Sequence, residues 1–167
     1  MNPLRKFIIA TLLTGFLFWA IGCDTKNQQK MSTENNTSIF PRGEKLINGY
    51  FTGDAYLNAL LPRDKNNDFV IGNVTFNAGA RTNWHTHPKG QVLIVTEGQG
   101  FYQEEGKAAR RIKKGDVVNI PENVKHWHGA HANSRLTHIA ITNFKGEENV
   151  TWLQPVSDSE YAEVNNQ

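Results

Sequence analysis

Two histidines one residue apart, His85 and His87, are followed just past a Pro-Lys-Gly turn by Gln91. On a β-strand side chains alternate between faces, so a His-x-His pair presents both imidazoles to one side. The spacing recurs at His126 and His128, and His138 follows in the run LTHIAITN. All six histidines of the 167-residue chain fall between His85 and His138, a clustering that chance would seldom arrange. Imidazole nitrogens with an oxygen donor suit Mn, Fe, Co, Ni or Zn, and spacing does not choose among them. If both pairs face the inside of one barrel, His85, His87, Gln91 and His126 converge on a single ion. A purely structural cluster is the poorer explanation, because buried imidazoles without a metal must each find a partner.

Strands must carry these residues, and the chain supplies them. Asn48 to Leu61 reads as a first edge strand running into a short irregular segment that ends at Pro62. Phe69 to Phe76, FVIGNVTF, is a β-branched strand, and Arg81 to His87 is the strand bearing the first histidine pair. Gln91 to Thr96 is apolar on both faces, as for a strand between layers. Gly106-Lys107 signals a hairpin, and Val117 to Ile120, Lys125 to Gly129, Leu136 to Asn143 and Val150 to Leu153 supply the remaining strands. The tail allows one helical turn near Asp158 to Tyr161 with Ser157 as cap, and is otherwise frayed. Eight or so short strands between Gly, Pro and Asn turns make an all-β protein, an antiparallel sandwich or jelly-roll barrel. In it, Trp84 and Trp127 point away from their histidine neighbours and pack outside the barrel. His131, in the loop HANSR, faces solvent.

Gly79, His85-Thr86-His87, Gln91 and Gly98 resemble the first motif of the cupins, and Gly115, Pro121-Glu122-Asn123 and His126 resemble the second. The chain departs from the pattern at Gln91, where cupins generally carry glutamate, at Asn123 in place of glycine, and at Ala130 in place of asparagine. Three neutral imidazoles and a neutral amide leave the full charge on a divalent ion, which makes it a weaker-held but stronger Lewis acid. Ala80 to Gly100, Lys125 to Ala130 and Thr137 to Ile141, with Tyr50 to Gly53 and Thr151 to Leu153, are similar to the small bacterial cupin hydroxynitrile lyases. The resemblance implies a single-domain jelly-roll barrel over residues 41–167 and Mn2+ on His85, His87, Gln91 and His126, with Fe2+, Zn2+, Ni2+ and Co2+ as alternatives. It also implies that Thr82, His128 and His138 line the pocket. There Thr82 would orient a cyanohydrin, and His138 or His128 would exchange its hydroxyl proton near neutral pH. An equal reading of His138 is an interior histidine that orients His126 or His128. Two other functions use the same ligands: an iron dioxygenase and a non-catalytic module that holds a small ligand.

The N-terminus sets location. Arg5 and Lys6 precede the apolar run Phe7 to Gly22, which is short for a membrane span but suits a secretory signal over residues 1–22. Cys23, the only cysteine, ends that run and resembles the lipidated cysteine of bacterial lipoproteins, although Ala20 stands where leucine is most usual. Residues 23–40 are polar and read as a flexible tether, which places the protein in the periplasm or cell envelope, held to the membrane only through its lipid. A lone cysteine excludes an internal disulfide. Setting aside Arg5 and Lys6, 16 basic residues face 16 acidic ones, so nothing favours a nucleic-acid partner. The expected partners are a small-molecule substrate and a second copy of the chain, since cupins commonly dimerise through their sheets.

Overall fold

The computed structural model describes residues 38–166, which lie in a compact unit spanning Asn35–Gln167. The expected secretory segment 1–22 and the expected tether up to residue 37 lie outside the described residues, and among those described no helix is long and apolar enough to cross a membrane.

Two antiparallel sheets share one long strand. The first sheet runs β1 (Glu44–Lys45), β3 (Ala55–Leu61), β4 (Phe69–Phe76), β11 (Leu136–Asn143), β7 (Gln91–Glu104) and β9 (Val117–Ile120). The second runs β2 (Phe51–Thr52), β5 (Arg81–Thr82), β10 (His126–Ala130), β7 again and β8 (Arg110–Lys113), with β6 (His85–Thr86) and β12 (Thr151–Trp152) attached beside β10. The first half of β7 pairs with β11 and β9, and its second half with β10 and β8. The corner between them is Gly98, at φ 71°. A Cβ there would collide with the Arg135 carbonyl, so only glycine lets the strand change sheets. The result is the antiparallel jelly-roll barrel expected from the sequence.

Several local expectations change. The end of Asn48 to Leu61 is mostly regular: Ala55–Leu61 is a strand hydrogen-bonded to β4, and the expected irregularity is reduced to a register shift between Ala59 and Leu61. The expected strand Arg81 to His87 is split into β5 and β6, and His87 lies beyond it in the turn before Pro88. In β7 Leu93 and Val95 are buried while Val92 and Ile94 are only half-buried, so no second layer covers the outer face among the described residues. An antiparallel sheet needs only one covered face. The tail forms a helix, α1 (Asp158–Asn165), with Ser157 and Glu160 in a reciprocal capping box. It is anchored rather than frayed, because Tyr161 and Val164 are buried and the Tyr161 hydroxyl donates to the Ala130 carbonyl at 2.6 Å.

The core has two parts. Ala55, Phe76, Leu93, Val95, Ile112, Val118 and Leu136 fill the barrel interior. Trp84, Phe101 and Trp127 form a separate cluster with Val156, Tyr161 and Val164 of the C-terminal segment, so both tryptophans do turn away from their histidine neighbours. Arg81 ties this cover down: buried itself, it donates to the Val156 carbonyl at 3.0 Å and to Asp158 at 2.6 Å, and lies over the Tyr161 ring.

Candidate metal centre

His85 and His126 are directly paired across β6 and β10, which brings their rings to 4.1 Å between centroids. His87 lies 5.0 Å from His85 and 5.5 Å from His126. The Nδ1–H groups of three rings donate to main-chain carbonyls: His85 to Asn83 at 2.9 Å, His126 to Val124 at 2.9 Å, and His87 to Asn149. Each bond fixes the tautomer and leaves Nε2 with its lone pair, the arrangement that a metal-ligating histidine needs. Nε2 of His87 and of His126 and Oε1 of Gln91 are buried and have no hydrogen-bond partner. The Gln91 amide nitrogen donates to the Thr142 hydroxyl at 2.8 Å, which turns Oε1 away from Thr142.

His85, His126 and His128 have ligand atoms within 4.8 Å of one another, a buried triad suited to a divalent ion. This triad and the sequence-derived set differ in His128 against His87 with Gln91. His128 sits one ring further in, 5.4 Å from His85, and His138 lies 4.9 Å beyond it. Nδ1 of His128 is without a partner, so no carbonyl fixes its tautomer as in the other three. His138 is fully buried and both its ring nitrogens lack a side-chain partner. Thr82 is buried behind His128, its hydroxyl accepting the His128 main-chain N–H at 3.2 Å. His131 is remote, stacked on Phe101.

A cavity of about 240 Å³ opens onto this cluster. Leu46, Phe51, Leu57, Val70, Val74 and Trp152 form its walls, and His85, His87, Gln91, Thr142 and Asn149 its polar end. None of the residues lining it carries a formal charge at neutral pH other than what an imidazole could take up. Thr82, His128 and His138 are not on this wall but behind it. Thr142, Asn48 and the Asn149 carbonyl are polar groups that reading the sequence missed. Trp152 lies 4.8 Å from His85 and is stacked by Tyr50 on its other side.

Burial is the main cause of the titration behaviour. It pushes His126 and His138 down to about 4, and lowers His87. His85 and His128 fall well below the ordinary imidazole range, burial again leading and neighbouring imidazoles adding to it. All five are therefore neutral at pH 7, and the same burial makes His128 and His138 resist proton uptake there, against the near-neutral proton exchange expected of them. A stability consequence follows by linkage. The unfolded chain binds these protons below about pH 6.5 while the folded chain refuses them, so stability present above that pH is lost as the pH falls toward 4. His126 and His138 should each cost about 3 kcal/mol across that window. Metal-stripped protein is expected to unfold between about pH 6 and pH 4 in thermal melts; a melting temperature flat over that range would contradict the buried neutral cluster.

An antiparallel jelly-roll enclosing a buried histidine triad is the architecture of a metal cupin. Residues 72–142 match the cupin domain family. The (R)-mandelonitrile lyase of Granulicella tundricola is 43% identical over 112 residues, 67% of this chain and 86% of the relative. The chain belongs to the cupin family and lies close to its hydroxynitrile lyases. Among solved structures, a cupin-like protein from Thermotoga maritima superposes with a TM-score of 0.72 at 47% identity, covering 76% of this chain and 96% of its own. A predicted oxalate decarboxylase from the same organism (TM-score 0.54, 21% identity, 66% and 91% coverage) shares the fold.

Proposed function

We propose that this protein is a metal-dependent carbon–carbon lyase that cleaves and forms cyanohydrins, with His85, His87, Gln91 and His126 holding the ion. The observation that carries the reaction class is the uncharged apolar cavity ending at the histidine cluster. It has no arginine or lysine to pair a carboxylate and no acidic group to pair a cation, so it suits a neutral carbonyl compound and its cyanohydrin. The 43% identical mandelonitrile lyase supports the same class. The three fixed tautomers and the partnerless Gln91 Oε1 favour His87 and Gln91 over His128 as ligands.

A divalent ion, Mn2+ by family resemblance, supplies Lewis acidity toward the substrate hydroxyl when bound. The chain's own part is to hold the substrate in an apolar cavity against His85, His87 and Gln91. Cleavage takes the proton from the hydroxyl and breaks the C–CN bond with its electron pair on cyanide, and the proton passes to the cyanide, giving HCN and the carbonyl compound. His128 is the imidazole next behind His85, outside the cavity wall, so it supports His85 and does not itself touch the substrate. His138 stands behind His128 and Thr82 secures its backbone.

The test is elemental analysis of purified protein together with racemic mandelonitrile cleavage followed as benzaldehyde release. Bound metal with no cleavage removes the lyase reading, and oxygen uptake by iron-loaded protein would replace it with a dioxygenase. Gln91→Glu adds a negative charge to the donor set, so it is expected to bind the ion at least about tenfold more tightly and to turn over about tenfold more slowly. A variant equal to the parent in metal titration and rate would refute the role given to the neutral amide.

The same proposal includes export and anchoring through Cys23, tested by membrane fractionation of Cys23→Ser. It also includes a homodimer. Val117, Ile94 and Ile139 lie side by side on the outer face of the first sheet, as do Val92, Ile141 and Ile71. Sedimentation of an Ile94→Arg variant as a monomer beside a dimeric parent would support that face as the contact.

A further inference from the structure

We infer that Thr142 is a positioning residue that holds the Gln91 amide by its nitrogen, with the oxygen left free for the three imidazoles' ion. The inference rests on Gln91 being a ligand, as proposed above.

Gln91 opens β7 and Thr142 stands directly opposite it on β11, so the pair is set by strand register rather than by a flexible loop. Both are buried, at 6% and 7% exposure, which leaves the amide few alternative partners. A carboxamide has a donor end and an acceptor end of nearly the same shape, and only the acceptor end can ligate a cation. Thr142 takes the donor end: Gln91 Nε2 lies 2.8 Å from Thr142 Oγ1, while Oε1 is buried without a hydrogen-bond partner. If the amide turned over, two N–H groups would confront the lone pairs of His87 and His126 and the ion between them. Without the hydroxyl, the amide nitrogen of the ligating orientation would be buried unpaired. A leucine at position 91 offers the hydroxyl neither a donor nor an acceptor. Thr142 should therefore matter to metal binding with a glutamine at 91 and hardly at all with a leucine.

That difference gives the test. Metal-stripped full-length protein is titrated with Co2+, read by its visible absorption, in the parent, Thr142→Val, Thr142→Ser, Gln91→Leu and the Gln91→Leu/Thr142→Val double variant. In the parent background, Thr142→Val should weaken Co2+ binding about tenfold and alter the absorption band, whereas Thr142→Ser should keep the parent value. In the Gln91→Leu background Thr142→Val should change binding less than about twofold. A merely structural role for Thr142 would move both backgrounds alike, and that result overturns the inference. Gln91→Leu with weakened binding but a neutral Thr142→Val overturns the inference alone. Gln91→Leu with unchanged binding overturns the ligand assignment and the inference with it. Melting of the metal-free variants checks that each is folded at the titration temperature.

Discussion

His126→Ala is expected to lower metal affinity by about a hundredfold or more and to reduce mandelonitrile cleavage by roughly a thousandfold. His126 meets the rings of His85, His87 and His128. It pairs with His85 across the strands, its Nε2 is buried without a protein partner, and its Nδ1 is committed to Val124. Alanine removes a donor that no neighbour replaces, since His128 sits 6.0 Å away in a ring of unfixed tautomer. The control is His131→Ala, which removes an imidazole stacked on Phe101 outside the cluster and should leave metal content and rate unchanged. Elemental analysis and initial rates on the two variants decide the matter: retained metal and rate in His126→Ala would show that the ion, if any, is held elsewhere.

The imidazole cluster was legible because its signal is local. A His-x-His pair declares its shared face within three residues, and the two pairs required only that β6 and β10 lie side by side. What fixes those rings was not legible. The carbonyls of Asn83 and Val124 are close by in the chain but invisible as side chains, and the Asn149 carbonyl comes from far along the sequence. Thr142 gave no sign of its part because its partner is chosen by the register of β11 on β7. Nor could spacing show that the cavity ends at His85, His87 and Gln91 and leaves His128 and His138 behind its wall. The departure at Asn123 now has a physical account: the residue has φ 60°, which asparagine tolerates, and its N–H donates to the His87 carbonyl at 2.9 Å, joining the two motifs. The departure at Ala130 is explained by nothing in the structure.

Strand positions followed from alternation and turn residues, whereas the fate of each outer face did not. Alternation says that a side chain leaves the barrel interior; it does not say what it meets. Val92 and Ile94 leave the first sheet and remain half-buried, while Trp84 and Trp127 leave the second and are covered by α1. The helix signal was weak because α1 has only two buried positions, Tyr161 and Val164, too few to form a periodic stripe. Its place is fixed by contacts from distant strands, Arg81 to Asp158 and Tyr161 to Ala130.

Trp127→Ala tests that division of the molecule into a chemical inside and a structural outside. Trp127 is flanked in sequence by two cluster histidines yet is fully buried on the opposite face of β10, its indole N–H donating to Gln103 Oε1 at 2.8 Å and its ring meeting Tyr161. Truncation to alanine opens a void beneath α1 and strands the Gln103 acceptor, a change expected to cost about 3 to 5 kcal/mol. With total stabilities of about 5 to 15 kcal/mol for domains in general, that loss should be plain in urea denaturation of metal-free protein. The imidazoles on the other face keep their carbonyl partners at Asn83, Val124 and Asn149. The folded fraction of Trp127→Ala should therefore bind Co2+ within about threefold of the parent, well short of the roughly 1.4 kcal/mol that a tenfold loss represents. A stability loss under about 1 kcal/mol would mean that α1 does not seal this face. A collapse of metal affinity in protein still folded would mean that the two faces of β10 are coupled, and that the outer tryptophan cluster belongs to the site.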